Sequence, residues 1–255
     1  MKIHFSASHS PLAQKAFVEM TQRYGQTSAN DADYLVALGG DGQVLSTLYE
    51  SLKLNKPVFG IRRTESVGFL CNAFDDDRSD LTQRLERAQK VILNPLRIDA
   101  QTTDGSTFSA LAINEVSILR ETPQAVRLRV SIDGNERLSK FSGDGILVST
   151  PAGSTAYNHS CGGPIMPLNA NTLVMTGING FRPRGWSHAV LPQDAVIEIE
   201  VMETTKRPTK IEAGASVLHN AAKAKIWLDR AQNIALLFDP DQHLGERIVR
   251  EQFML

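Results

Sequence analysis

Glycines and hydroxyl side chains are concentrated in one segment of this sequence, between residues 143 and 164. The segment reads GDGILVSTPAGSTAYNHSCGGP and holds too few bulky apolar residues to be core. Glycines allow close backbone approach, and the polar side chains here include the carboxylate of Asp144 and the hydroxyls of Ser149, Thr150, Ser154, Thr155 and Ser160. A strand over residues 146–148 and a helix that begins near Ser154 would present backbone N–H groups to a phosphate or a ribose. The pattern favours a binding loop for a polar ligand over a plain Gly/Ser surface connection.

A second candidate site is the turn Gly39-Gly40-Asp41-Gly42. It follows a continuous apolar run at residues 34–38, which is typical of a buried parallel strand. In open α/β sheets ligands bind at the carboxyl ends of the strands, and Asp41 would lie at such an end. Taken alone, a glycine-rich turn with Asp41 as a helix cap explains the same four residues about equally well.

The pair Asn114-Glu115 interrupts an apolar stretch over residues 110–118. On an alternating strand one of the two polar side chains would face inward, unless the pair lies at a solvated edge. An amide and a carboxylate are suited to the amino and hydroxyl groups of a nucleotide. The pair is therefore a third candidate for ligand binding.

The elements that must position these residues differ between the two parts of the chain. Up to about residue 93, strands at 2–6, 34–38 and 57–61 alternate with helices at 11–24, 44–52 and 78–90, which is the βαβαβα order of a parallel sheet. Beyond it, short segments predict strands at 91–98, 107–119, 127–132, 146–149, 173–176, 196–202, 225–228 and 234–238, as in a β-sandwich or layered β domain. The sequence predicts an α/β domain over 1–93, completed by a helix over 240–255, and a β-rich domain over 94–239.

Composition limits the partners of the protein. The 255-residue chain is 42% hydrophobic and 22% charged, with a formal net charge of −1, so it offers no general basic field for nucleic acid. Cys71 and Cys161 are too few for a disulfide framework, and His159 with Cys161 lacks the companions of a metal site. There is no signal-like start and no long apolar run. We expect a cytoplasmic protein without nucleic-acid or membrane partners and without a metal held by its own side chains.

Together, GGDG at 39–42, Asn114-Glu115 after an apolar strand, and GDG followed by TPAGSTAY and GGP between 143 and 164 resemble the NAD kinase family. The resemblance extends over essentially the whole chain. It implies an N-terminal Rossmann-like parallel α/β domain and a C-terminal β-sandwich-like domain, the fold shared with diacylglycerol kinases. It also implies phosphoryl transfer from ATP or polyphosphate, with Mg²⁺ or another divalent metal, to the 2′-hydroxyl of the adenosine ribose of NAD, which yields NADP.

The same resemblance implies roles for individual residues. Asp41 would be the base that faces the 2′-hydroxyl, with Gly42 beside it, and Phe69 would lie against the dinucleotide. Asn114 and Glu115 would hydrogen-bond NAD, and Asp144 would contact its nicotinamide end. Within the loop, the adenine and ribose would be lined by Thr155, Ala156, Tyr157 and Ser160, and the cofactor-binding set would also include Ala152 and Asn158. A homo-oligomer, a dimer or tetramer packed through the strand-rich domain, is implied as well.

Two alternatives come from other classes of protein. GGDG alone is shared with lipid kinases and phosphofructokinase-like enzymes, so a lipid or sugar kinase of that wider group is the first alternative. Such a kinase would be expected to lack Asn-Glu and TPAGSTAY. The second is a non-catalytic dinucleotide-binding regulator. The presence of Asp41 argues against it.

Overall fold

The structure is a computed structural model and describes residues 1–64, 69–74 and 80–240. Up to Leu93 its elements are β1 (Ile3–Ala7), α1 (Pro11–Tyr24), β2 (Tyr34–Gly39), α2 (Asp41–Leu54), β3 (Val58–Arg62), α3 (Leu81–Arg87) and β4 (Gln89–Leu93). The chain continues with β5 (Leu96–Thr102), β6 (Thr107–Ala112), β7 (Glu115–Arg120), β8 (Val126–Ile132), β9 (Asn135–Gly143), β10 (Gly145–Ser149), α4 (Tyr157–Ser160), β11 (Thr172–Ile178), β12 (His188–Pro192), β13 (Ile197–Val201), β14 (Thr209–Ala213), β15 (Ser216–Leu218), β16 (Ala221–Leu228) and β17 (Ile234–Phe238). They form two compact units, one that ends at Leu93 and resumes at Ala231, and one over Asn94–Arg230.

The first unit is built on a five-stranded sheet in the order β1-β2-β3-β17-β4. The first four strands are parallel, and β4 runs antiparallel to β17. Helix α1 begins where the sequence indicates, because the Ser10 hydroxyl accepts a hydrogen bond from the Ala13 N–H at 3.2 Å and Pro11 follows as the first helical residue. The core between sheet and helices includes Phe5, Val36 and Phe59. This arrangement places Asp41 at the carboxyl end of β2.

The second unit is a β-sandwich of two six-stranded antiparallel sheets. Their orders are β12-β11-β10-β7-β14-β15 and β6-β5-β16-β13-β8-β9. One continuous core lies between them and takes Val116 and Ile146 from the first sheet and Ile98 and Val130 from the second. Because side chains alternate along a strand, Glu115 and Ser117 lie on the opposite face of β7 from Val116. The observed architecture confirms the predicted fold class.

Three predicted strands differ from the observed ones, either because they are divided in two or because they join another sheet. Residues 91–98 form two strands, β4 and β5, and Pro95, which has no N–H to donate, lies between them. Residues 107–119 also form two strands, β6 and β7, which belong to different sheets of the sandwich. Residues 234–238 were expected in the β-rich domain, but as β17 they pair with β3 and β4 in the first unit. The IALLF sequence of β17 is apolar without alternation, which is typical of a strand buried on both faces.

Other boundaries differ as well. The helix expected over 78–90 is α3 (Leu81–Arg87), while Gln89 and Lys90 lie in β4 and residues 78–79 are outside the described residues. Strands β9, β12, β14 and β15 were not predicted, and the exposed residues of β9 are all polar. The second unit ends at Arg230 and not at residue 239. The helix expected over 240–255 lies, from residue 241 on, outside the described residues, and no helix among those described could cross a membrane.

Candidate functional site

Asp41 is the first residue of α2, directly after the buried strand β2 and the cap residue Gly40. The turn requires glycine at position 39, where a Cβ would lie 2.9 Å from the Cβ of Gln43 and 3.0 Å from the Ser8 hydroxyl oxygen. A carboxylate in the first turn of a helix is stabilised by the helix dipole. The sequence therefore holds a half-buried carboxylate at the end of the sheet where ligands of such folds bind.

The Asp41 carboxylate is bonded to the segment that follows β3. Its Oδ2 accepts a hydrogen bond from the Phe69 N–H at 2.6 Å, and its Oδ1 accepts one from the Leu70 N–H at 2.9 Å. The Cys71 thiol donates to Oδ1 at 3.5 Å. The structure thus brings together Asp41 and Phe69, two of the predicted site residues, through the backbone of Phe69.

Gly42 is exposed, and a Cβ placed on it would meet no atom within 4 Å. Its φ is outside the left-handed region. Neither packing nor backbone conformation within the described residues therefore demands glycine here. A ligand that approaches the start of α2 closely would be a reason for it.

In the second unit the Asn114-Glu115 pair and the glycine-rich loop are joined. The Asn114 carbonyl accepts a hydrogen bond from the Thr150 N–H at 2.9 Å, and the Thr150 hydroxyl donates to the Ile113 carbonyl at 2.7 Å. The loop then packs on the pair so closely that a Cβ on Gly153 would lie 2.4 Å from the Asn114 carbonyl oxygen. The pair was expected to interrupt a single strand, but it does not. It lies where the chain passes from β6 in one sheet to β7 in the other.

Two buried oxygens of this pair, Asn114 Oδ1 and Glu115 Oε2, have no hydrogen-bond partner among the described residues. Burial raises the pKa of the Glu115 carboxyl from 4.5 to about 7. Buried polar groups in folded proteins nearly always have a partner. The two oxygens are therefore buried acceptors that no described residue uses, and Glu115 titrates near neutral pH.

Asp144 is already paired within the protein. Its Oδ1 lies 2.6 Å from the Arg120 Nε, and its Oδ2 accepts a hydrogen bond from the Asn179 amide at 2.8 Å. Its backbone bonds to Ile178 and Arg120 align it with the neighbouring strands β11 and β7. The carboxylate is half-buried and held in one orientation from two sides.

The loop divides into an inner and an outer set of side chains. Ser149, Thr150 and Ser154 were expected to offer hydroxyls to a ligand, but they are buried and donate to backbone carbonyls. Asn158 is also buried: its amide donates to the Ser154 and Pro164 carbonyls and accepts from the Thr176 hydroxyl at 2.7 Å. These four residues shape the loop from within.

Of the other predicted loop residues, all but Ala152 lie further out. Thr155 and Ala156 are half-buried, Tyr157 is 37% exposed, Ser160 is exposed, and Ala152 is buried. The helix expected near Ser154 begins at Tyr157 and is a single turn, because Ser154 is held in preceding turns.

Tyr157 and Cys161, in the outer part of the loop, both have raised pKa values. Burial raises the pKa of the Tyr157 hydroxyl, and its interaction with Cys161 and the negative charges of Glu212 and Asp144 raise it further. Burial also raises the pKa of the Cys161 thiol, with a smaller contribution from Glu115. Phenol and thiol therefore remain protonated at neutral pH. Protonated hydroxyl and thiol groups, near carboxylates that are paired with Arg120 and Lys210, suit a ligand with both hydrogen-bond donors and acceptors.

Comparison with known proteins decides the family. The family model of the ATP-NAD kinase C-terminal domain matches residues 113–228. The NAD kinase of Cereibacter sphaeroides is 46% identical over 253 residues, which cover 99% of this chain and 98% of that protein. This chain belongs to the NAD kinase family. The resemblance stated from the motifs is confirmed, and the protein is an enzyme of the kinase class and not a lipid or sugar kinase of the wider GGDG group.

Two solved structures of NAD kinase relatives share the fold. The yeast NADH kinase, complexed with NADH, has a TM-score of 0.80 at 19% identity, over 99% of this chain and 87% of that one. The NAD kinase from Archaeoglobus fulgidus, in complex with ATP, has a TM-score of 0.77 at 22% identity over 100% of both chains. At these identities the likeness concerns the fold alone.

Three residues that contact Asp41 or Asp144 were missed from the sequence: Cys71, Arg120 and Asn179. Asn72, which bonds to Gly60, Leu237 and Asp239, was missed as well. Cys71 and Asn72 directly follow Phe69-Leu70, so a polar residue after an apolar run was the available signal. Arg120 lies at the end of β7, and its pairing with Asp144 depends on the register between β7 and β10. No local sequence pattern identifies the contact of Arg120 with Asp144 or the contact of Asn179 with Asp144.

A divalent metal is implied by NAD kinase chemistry, and the donors present fit a particular way of holding one. No group of three or more His, Cys, Asp or Glu side chains in the described ranges is arranged to bind a metal. A carboxylate offers about four acceptor positions, and three donors from residues 69–71 occupy the Asp41 carboxylate. Mg²⁺ is often bound through one or two carboxylates together with substrate phosphates. About one acceptor position of Asp41 is left, so the residues present fit a metal that is held chiefly by the substrate phosphates.

Proposed function

We propose that this member of the NAD kinase family transfers a phosphoryl group from ATP to the 2′-hydroxyl of the adenosine ribose of NAD, and so forms NADP. The observation that carries the proposal is the pair of buried, unpartnered oxygens on Asn114 and Glu115 beside a glycine-rich loop. Leaving a buried acceptor without a donor costs about 1–3 kcal/mol. A nucleotide with ribose hydroxyls and an adenine amino group supplies the missing donors.

Asp41 is the proposed catalytic base. As the bond between the ribose oxygen and the γ-phosphorus forms, the carboxylate accepts the proton of the hydroxyl, and the bond from phosphorus to the bridging oxygen of ADP breaks. Phosphoryl transfer asks the protein chiefly for positioning and for neutralisation of charge. Two backbone N–H groups hold the Asp41 carboxylate in one orientation, which supports this role. A bound Mg²⁺ would neutralise charge on the donor phosphates.

The β-rich unit is the proposed holder of the dinucleotide. Asn114 and Glu115 accept hydrogen bonds from NAD, and a donor placed on Glu115 favours its charged form. Asp144, oriented by Arg120 and Asn179, is the proposed contact of the nicotinamide end. The adenine and ribose lie against the outer residues of the loop, Thr155, Ala156, Tyr157 and Ser160, while Ala152 and Asn158 support the loop from inside.

The experiment is NADP formation with NAD, Mg²⁺ and either ATP or polyphosphate. We expect product with ATP, and the polyphosphate arm determines whether that donor is also used. An NAD analogue with 2′-deoxyadenosine should bind and yield no phosphorylated product. Phosphorylation of this analogue at a rate near that of NAD would refute the assigned acceptor. Titration with NAD but no NADP from either donor would refute the proposed reaction.

We expect a homo-oligomer, assembled through the β-rich unit. Strands β12 and β15 are the two edges of one of its sheets, and they expose Val190 (48%) and Val217 (50%). Exposed apolar residues on a sheet edge favour pairing with another chain. Sedimentation at micromolar concentration tests this: a dimer or tetramer is expected, Val190→Lys and Val217→Lys should weaken it, and a wild-type monomer would refute it.

A further inference from the structure

The donors that orient Asp41 come from a short segment, residues 69–71, that crosses the end of the first sheet. Leu70 and Cys71 are almost fully buried, at 3% and 1% exposure. The segment approaches β3 so closely that a Cβ on Gly60 would lie 3.0 Å from the Leu70 carbonyl oxygen. The position of the donors is therefore set by whatever fixes this segment to the sheet.

Asn72 is the residue that fixes it. Its side chain is fully buried, and its amide donates to the Gly60 carbonyl of β3 at 3.0 Å and to the Leu237 carbonyl of β17 at 3.1 Å. Its Oδ1 accepts the Asp239 N–H at 2.8 Å. Its own N–H donates to Gly60 at 2.7 Å. One side chain thus ties the segment to two adjacent strands, with every amide hydrogen and the oxygen in use.

An ion pair supports the same connection from the other side. Arg84 of α3 donates from Nε to Asp239 Oδ1 at 3.0 Å and from Nη2 to Oδ2 at 2.6 Å, and Nη2 also donates to the Ala73 carbonyl at 3.1 Å. Both side chains are mostly buried, at 12% and 17% exposure. A forked arginine with two carboxylate bonds fixes geometry as well as charge. Arg84 therefore holds both Asp239, the partner of Asn72, and the residue that follows Asn72.

We propose that Asn72 is a positioning residue for phosphoryl transfer, with Arg84 as its support: they hold the Phe69–Leu70 peptide where its N–H groups orient the Asp41 carboxylate. This inference rests on the proposed function, in which Asp41 is the base. Neither residue touches substrate. Their effect reaches the reaction only through the angle at which the carboxylate meets the attacking hydroxyl, and a small misplacement of a reacting group can cost about 100-fold in rate.

The test combines Asn72→Ser with Asp41→Asn. Serine is too short to bridge Gly60 and Leu237, so kcat at saturating NAD and ATP should fall about 10- to 100-fold, while KM for NAD changes little. In the Asp41→Asn background the same substitution should have almost no further effect, because residues that act as a unit are not additive. Ser51→Ala is the matched control. It removes a buried hydrogen bond, 2.6 Å to the Lys56 carbonyl, at the other end of α2, and should lower the thermal midpoint without lowering kcat.

The outcomes distinguish a failure of the positioning role of Asn72 from a failure of Asp41 as the base. Unchanged kcat in Asn72→Ser, or an equal loss in both backgrounds, would overturn the inference while Asp41 remains the base. Retained turnover in Asp41→Asn alone would show instead that the proposed base is wrong. If Asn72→Ser does not fold, Arg84→Lys carries the same comparison, because lysine keeps the charge and loses the fork. We expect a several-fold fall in kcat from Arg84→Lys that disappears in the Asp41→Asn background.

Discussion

Two of the carboxylates proposed to act on NAD, Asp41 and Glu115, differ in whether the protein supplies them with hydrogen-bond donors. In the α/β unit, Asp41 accepts two backbone N–H bonds and a thiol contact from its own chain. In the β-rich unit, Glu115 has a buried oxygen without a partner among the described residues, and burial raises its pKa to about 7. A base must be oriented before the hydroxyl arrives, whereas a binding group gains affinity when the ligand supplies its missing donor.

Substitution of Asp41 tests the oriented carboxylate and should have the largest effect. Asp41→Asn cannot take a proton at neutral pH and also turns one acceptor into an NH₂ group against the backbone donors. We expect kcat to fall about 10²- to 10⁴-fold, with little change in NAD affinity, in steady-state assays. The exposed Asp31→Asn is the control in the same unit. More than half of wild-type turnover in Asp41→Asn would place the base elsewhere.

The pH dependence of stability tests the unpartnered carboxylate. Between about pH 4.5 and 7 the folded state keeps a proton on Glu115 that the unfolded state releases, so this group makes the protein less stable as the pH rises. Above pH 7 the cost is about 3 kcal/mol. We expect Glu115→Gln to raise the free energy of unfolding at pH 8 and to change it little at pH 4.5, in denaturant titrations. A variant less stable than wild type at pH 8 would contradict this.

The same substitution should weaken NAD binding. Glu115→Gln removes a charged acceptor from a ligand hydroxyl or amine, and hydrogen bonds to charged groups contribute about 1.5–3 kcal/mol, which corresponds to a tenfold or larger rise in KM for NAD. Turnover at saturating NAD should persist. Glu198→Gln, on an exposed position of the other sheet, is the control. Loss of kcat with unchanged KM would give Glu115 a role in the chemical step.

The smallest expected effect belongs to Gly42. Alanine finds open space there, and replacing glycine in a helix stabilises a protein by about 0.4–1 kcal/mol. If a ligand approaches Gly42, Gly42→Ala should lower kcat/KM several-fold while the thermal midpoint stays or rises. Gly153→Ala offers a contrast, since its Cβ would collide with Asn114 and the midpoint should fall. Full activity in Gly42→Ala would remove Gly42 from the site.

Local patterns in the sequence were enough for the fold class and for the turn that carries Asp41. The unbroken apolar run of β2 indicated a strand buried on both faces, and the Ser10-Pro11 pair indicated the start of α1. The joining of Asn114-Glu115 to the glycine-rich loop followed from no such pattern. It depends on β7 and β10 lying side by side in register, with Ser149 opposite Glu115.

The sequence by itself therefore determined where the main helices, strands and turns form, because side-chain periodicity and turn chemistry act within a few residues. The tertiary structure alone decided which groups became partners. Asn72 bonds to Leu237, 165 residues away, and β17 joins a sheet whose other strands come from the start of the chain. It also decided that Asp41 is surrounded by donors while a Glu115 oxygen is buried without one, since both states arise only when distant segments exclude water around a carboxylate.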